Sequence, residues 1–238
     1  MLGASLLFLS FLIFVATAIA AGMMIAASYS LFMEGATYDD PHDNSEYSTE
    51  MRTVAGAALG LVFILGTKKF LDQYEDLKMG DLGGADARKA LLIFFVMTVH
   101  SFSEGVGVGV SFGGVHGSKL GTFISASLAA HNVPEGLAIA VVMLPRGMST
   151  MAAAVWAVVT SLPQPLMAVP SYLFVHHFIP VLPVGLGFAA GAMAWVAIFE
   201  LLIEALEDSG LLTTGAIAGC SLASMMFIQS AIDDEARS

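Results

Sequence analysis

Between Gly147 and Phe199 the chain contains no Asp, Glu, Lys or Arg, and residues 1–33 contain none either. Uncharged stretches of that length have no place on the outside of a water-soluble domain, so they require a chain that lives in a bilayer. Composition agrees, since 12% of residues are charged and the mean hydropathy is +0.80, whereas soluble domains carry roughly 25% charged residues. Only helices and closed barrels satisfy their own backbone in hydrocarbon. No segment alternates apolar and polar as a barrel strand does, so the expected fold class is all-α, a polytopic transmembrane helix bundle.

A bilayer core takes about 20 helical residues. Apolar segments bounded by charges, prolines or glycines predict seven visible spans, at residues 11–33, 51–70, 90–112, 119–144, 150–175, 178–206 and 210–231. One helix over residues 1–33 would be about 50 Å long, more than an upright span needs, so the first is expected to start near residue 11. Pro163, Pro165, Pro170, Pro180 and Pro183 exclude a single helix across the uncharged stretch and place a break near His176 and His177.

The whole chain, 1–238, reads as a single transmembrane domain. Lys68, Lys69, Lys78, Arg88 and Lys89 lie in or beside the loop at 71–89, which the distribution of basic residues places in the cytoplasm. The loop at 34–50 then lies on the opposite side and is acidic, with Glu34, Asp39, Asp40, Asp43, Glu46 and Glu50 beside His42. A formal net charge of −11 favours cations and excludes nucleic acid as a partner. Cys220 is the single cysteine, so neither a disulfide framework nor a cysteine-rich metal site can form within one chain.

Two of the apolar segments carry near-copies of one hexapeptide, His100-Ser101-Phe102-Ser103-Glu104-Gly105 and His131-Asn132-Val133-Pro134-Glu135-Gly136. A charged side chain at mid-bilayer costs about 2.5–3.5 kcal/mol on insertion scales, so such residues face a cavity or each other. Residues four apart share a helix face, so His100 and Glu104 can hold one ion, as can His131 and Glu135. The short link near Gly117–Gly121 makes the two helices antiparallel neighbours, and both pairs then converge on one point. Two imidazoles and two carboxylates suit zinc above all, with iron, manganese or cadmium as alternatives, and no organic cofactor is called for. Pro134 cannot donate to the carbonyl of Ala130, which loosens the helix beside the site. Gly105, Gly109 and Gly113 form a stripe for close helix packing. Gln164, between two prolines, is a candidate cap on the pocket, and Glu200 and Glu204 form a further four-residue pair near the end of the sixth span.

These motifs resemble those of the ZIP (Zrt/Irt-like) metal transporter family, whose fourth and fifth helices carry paired His and acidic residues ending in glycine. The resemblance extends to Ala21–Met24 leading into Met33-Glu34-Gly35-Ala36, similar to the family's second helix, to Ser161–Leu166, similar to its sixth, and to Phe199–Ala205, similar to its seventh. It implies eight helices, one more than is visible, with the family's first helix missing or reduced to residues 1–10. It implies a primary metal site of His100, Glu104, His131 and Glu135. Ser101, Asn132 and Gln164 correspond to positions lining a second, adjacent site, which here has no carboxylate of its own. Glu34, Glu200 and Glu204 are the candidates for entry or exit. The partners implied are a divalent metal ion, the lipid bilayer and a second copy in a homodimer. The expected function is uptake of metal toward the cytoplasm. The rival readings are a transport-inactive, truncated or regulatory subunit and an intramembrane zinc hydrolase. The hydrolase would need an open coordination position that four inward ligands leave little room for.

Overall fold

The computed structural model describes residues 2–39, 43–73, 78–79, 82–113 and 117–237, with side chains described for all of these except 2–10, 12, 78–79, 117–120, 123, 127, 131 and 232–237. In chain order the helices are α1 (Leu2–Ala36), α2 (Thr49–Leu71), α3 (Gly84–Gly113), α4 (Gly117–Met143), α5 (Thr150–Ser161), α6 (Pro163–Leu173), α7 (Val175–Phe178), α8 (Leu182–Trp195), α9 (Ile203–Ser209) and α10 (Leu211–Arg237). A 3₁₀ turn, Ile179–Val181, joins α7 to α8, and a π-helical turn, Val196–Leu202, joins α8 to α9. Strands β1 (Lys78–Met79) and β2 (Leu82–Gly83) pair antiparallel over two residues each, which leaves the class all-α.

Seven helical stretches are long and apolar enough to cross a membrane, matching the seven expected from sequence: 13–36, 49–71, 84–113, 124–143, 150–173, 175–209 and 211–231. The chain is an integral, multi-pass membrane protein. Four details differ from expectation. Helix α1 begins at Leu2, not near residue 11, because nothing in the uncharged N-terminal stretch interrupts it. The fifth span is cut at Leu162, since neither Pro163 nor Pro165 can supply an N–H to the turn before it. The sixth contains the wide π turn, where the Ile203 N–H reaches back five residues to the Ile198 carbonyl. The break expected near His176 falls at Phe174, which leaves helical geometry (φ −117°, ψ 37°).

Local chemistry sets several boundaries. The Ser48 hydroxyl caps α2 by accepting from the Met51 N–H at 3.3 Å, and Ser149 caps α5 by accepting from Ala152 at 3.2 Å. Lys68 and Lys69 occupy the last turn of α2, where they oppose the helix dipole. Gly210, at φ +79°, takes the left-handed conformation that lets α9 turn directly into α10.

The helices fall into two groups, each held by close approaches. In the first, a Cβ added at Gly56 or Gly60 of α2 would overlap the carbonyls of Val184 or Phe188 on α8, and one at Gly187 or Gly191 would overlap those of Thr53 or Ala57 in return. Gly22 of α1 lies equally close to Ala218 of α10, and the Ser28 hydroxyl donates to the Ala190 carbonyl at 2.7 Å, so α1, α2, α8 and α10 are tied together. In the second, the glycine stripe of α3 packs backbone to backbone on α6, with Gly105 on Gln164 and Gly109 on Ala168, as the sequence predicts. Phe94 of α3 meets Trp156 of α5 edge-on at 5.0 Å, and the Phe112 ring covers Gly121 of α4. Where glycines face across the boundary between α3 and α8 the approach is looser: Gly107 of α3 faces Leu182 and Leu186 at 3.8–4.0 Å, and Gly185 of α8 faces Ser103 at 3.8–3.9 Å. Met24, Met97, Met143 and Met193, all fully buried, fill the core in which both groups take part.

Candidate metal site

The four-residue spacing on α3 puts His100 and Glu104 on one helix face, and the antiparallel approach of α4 brings Glu135 to meet them. His100 Nε2 stands 3.2 Å from Glu104 Oε1 and 2.6 Å from Glu135 Oε1. All three side chains are buried, at 1%, 0% and 7% exposure. Apart from these mutual contacts, both imidazole nitrogens, both Glu104 oxygens and Glu135 Oε1 have no hydrogen-bond partner among the described residues. Buried polar atoms without outside partners are costly individually, and here three side chains each present one candidate ligand atom to the others. The candidate ligand atoms all lie within 4.8 Å of one another. A tetrahedral ion with bonds of about 2.0–2.1 Å would hold neighbouring ligand atoms roughly 3.3 Å apart, so the 3.2 Å separation already matches and the 2.6 Å one would have to widen.

Beside the cluster lies a cavity of about 450 Å³ between α4, α5 and α6, lined among others by Asn132, Glu135, Thr160, Ser161 and Gln164. Asn132 Nδ2 donates to Gln164 Oε1 at 3.2 Å, while Asn132 Oδ1 is buried without a partner. The break at Leu162 lies beside this cavity, where Pro165 cannot donate to the Ser161 carbonyl.

The structure therefore brings together three of the four primary residues expected from sequence. His131 lies within α4, but its side chain is outside the described residues. Of the second-site candidates, Asn132 and Gln164 line the cavity; Ser101 is buried on α3 and is not among the lining residues. Glu34 sits half-buried at the end of α1. Glu200 and Glu204 are ion-paired, not free. Glu200 receives Lys68 at 3.1 Å and Lys89 at 3.6 Å; Glu204 receives Lys89 at 2.8 Å and Arg146 at 2.8 Å. The sequence places Lys68 and Lys89 only as markers of orientation, and the partnership of these cations and Arg146 with the two acids spans too many residues for spacing to reveal it. Another long-range cluster it missed is Arg52, which pairs with Asp43 and donates to Ser45 Oγ at 3.1 Å and to the Pro180 carbonyl at 2.6 Å.

Seven membrane-crossing helices around a buried His/Glu cluster define a multi-pass membrane protein with a candidate site for a divalent cation. A protein of Arabidopsis thaliana, named provisionally as a zinc transporter, is 43% identical over 206 residues, 87% of this chain and 32% of the relative. Zinc transporter GufA of Myxococcus xanthus is 33% identical over 158 residues, 66% of this chain and 62% of GufA. Zinc transporter ZIPB of Bordetella bronchiseptica is 32% identical over 218 residues, 90% of this chain and 69% of ZIPB. No family model matches. On these relatives the chain belongs to the ZIP family, while spanning about a third of the Arabidopsis protein and under two thirds of GufA.

Proposed function

We propose that this chain carries a divalent metal ion, zinc above all, across the membrane through His100, Glu104 and Glu135, with His131 as the fourth ligand. The observation that carries the reading is the buried donor set itself: one imidazole and two carboxylates that converge on one another, within 4.8 Å, in the interior of the bundle. The mixed nitrogen and oxygen set fits zinc, iron or manganese better than an all-oxygen calcium cage. The cavity with Asn132 and Gln164 is the polar approach to the ions' site. With an amide where a carboxylate would be needed, it supports one strongly held ion and not two.

The basic residues about the 71–89 loop put that end in the cytoplasm and the acidic 34–50 loop outside, and transport runs inward. Alternating access then comes from sliding of α3, α4, α5 and α6 past α1, α2, α8 and α10. Glycine-to-backbone packing within each group and ordinary van der Waals contact at Gly107 and Gly185 between them support that division. The relatives named above are named as transporters, which weighs against the hydrolase reading.

The test is uptake of radioactive zinc into proteoliposomes by the parent chain, His100→Ala and Glu135→Gln. Uptake by the parent that either substitution abolishes sustains the proposal. Zinc bound by the parent but never carried inward would show a binding subunit that depends on a longer partner.

A further inference from the structure

At the cytoplasmic end the two helix groups meet through ions. Lys89, on the second turn of α3, donates to Glu204 Oε2 at 2.8 Å and to the Glu200 backbone carbonyl at 3.0 Å, and lies 3.6 Å from Glu200 Oε2. Arg146, just beyond the end of α4, donates to Glu204 Oε1 at 2.8 Å, to Asp86 of α3 at 3.0 Å and to the Val142 carbonyl at 2.7 Å. Both cations belong to the group of α3–α6; both glutamates belong to the sixth span, with α8. Both cations are mostly buried, at 19% and 16% side-chain exposure, so solvent screens these pairs less than it would on an open surface. Along α3 and α4, between the His/Glu cluster and this end, Ile93, Met97, Val142 and Met143 are all buried.

We infer that Lys89 and Arg146 form a latch that holds the cytoplasmic exit shut by binding Glu200 and Glu204 across the sliding boundary. The inference rests on the proposed sliding of the two groups. The two acids are not equivalent. Glu200 also pairs with Lys68 of α2, which belongs to its own group, so it keeps a counter-ion when the latch opens. The described partners of Glu204 are Lys89 and Arg146 alone, and both leave with the moving group. Opening therefore leaves one carboxylate, 34% exposed, without either counter-ion beside the acidic Asp208, which resists opening of an empty carrier. A departing divalent cation can take the place of the two side-chain cations on Glu204 and relieve that resistance. The arrangement thus couples exit opening to the presence of cargo.

The experiment reads exit opening directly. In a Cys220→Ser background, Met97→Cys places a thiol in the closed path, and a membrane-impermeant maleimide is applied from the cytoplasmic side of membrane vesicles. Lys89→Met combined with Arg146→Met is expected to speed labelling by about fivefold or more, the lower end of the coupling between linked equilibria. Lys89→Arg, which keeps the charge, should label at the parent rate. Should the double variant fail to fold, as judged by its elution in detergent, Glu204→Gln removes the shared acid and should give the same increase. Unchanged labelling in folded latch variants overturns the inference. External zinc should speed labelling of the parent. Faster labelling in the variants with no response of the parent to zinc would leave the latch standing and count against the transport reading instead.

Discussion

Replacing Gly105 by alanine tests the packing of the candidate site from its most sensitive point. An added Cβ would overlap the Gln164 carbonyl and lie 2.9 Å from the Gln164 Cα. Carbon atoms in contact rest about 3.5–4.0 Å apart, so α3 and α6 must separate by roughly 0.6–1 Å at this level. Neither obstacle is a flexible side chain, so the strain cannot be absorbed by a rotamer change. Overpacking of this kind costs about 1–3 kcal/mol. The shift also moves Gln164, which holds Asn132 at 3.2 Å at the cavity beside Glu135. Gly66 and Gly215 provide the contrast, because an added Cβ there meets nothing within 4 Å. At those positions alanine removes backbone freedom from the unfolded chain and should stabilise the helix by about 0.5–1 kcal/mol. Thermal unfolding in detergent, followed by tryptophan fluorescence, should move downward for Gly105→Ala and slightly upward for Gly66→Ala and Gly215→Ala. Zinc uptake should fall only for Gly105→Ala. A Gly105→Ala protein as stable as the parent would refute the claim that backbone contact between α3 and α6 sets the geometry of the site.

Three further outcomes are expected. His100→Ala and Glu135→Gln should each weaken zinc binding in detergent by at least about 100-fold, since even outer-shell partners of a metal contribute 10–100-fold; affinity within tenfold of the parent would remove either residue from the ligand set. Asp43→Asn should cost about 1 kcal/mol of thermal stability by breaking the ion pair with Arg52. Burial pushes the Asp43 carboxyl up, but hydrogen bonds from Arg52 and Ser45 and the Arg52 charge outweigh it and hold it below the ordinary 3.8. The pair's contribution is then fully present above that value and is lost as pH falls below it. The gap in unfolding temperature between parent and Asp43→Asn should therefore be constant from neutral pH to about 5 and close below about 4; a gap that widened on acidification would reverse the argument. Finally, Ser149→Ala should destabilise α5 by about 0.5–2 kcal/mol through loss of its cap, measurable by the same unfolding assay.

The seven spans were legible because hydrophobic length and the few charged punctuation points report directly on the bilayer. The contact of His100, Glu104 and Glu135 was legible for a different reason: helical periodicity fixes the first pair, and the short α3–α4 link fixes the approach of the second helix. The stripe of Gly105, Gly109 and Gly113 announced close packing, but its partner could not be read. That α6 and not α4 fills the groove depends on tertiary arrangement. Pro163 and Pro165 marked the site's amide without revealing that they cut the span at Leu162. The ion pairs of Lys89 and Arg146 with Glu204 join residues far apart in sequence, and no local period encodes them. The wide turn at Val196–Leu202 has no signal in its composition, which is as apolar and helix-compatible as the turns on either side.

That wide turn sets the angular phase between the two halves of the sixth span. Ahead of it, Gly187 and Gly191 are keyed to α2; behind it, Glu204 is aimed at Lys89 and Arg146. One residue of α-helix corresponds to a rotation of about 100°. Deleting a single residue between Val196 and Leu202 would let the segment close into regular α-helix with its two flanks nearly in phase, whereas deleting one from the regular helix on either side would turn Glu204 by about that angle relative to the glycines, away from both of its cations. The wide turn thus takes up one residue that would otherwise rotate Glu204 out of reach of Lys89 and Arg146 while the glycines ahead of it stay in register with α2.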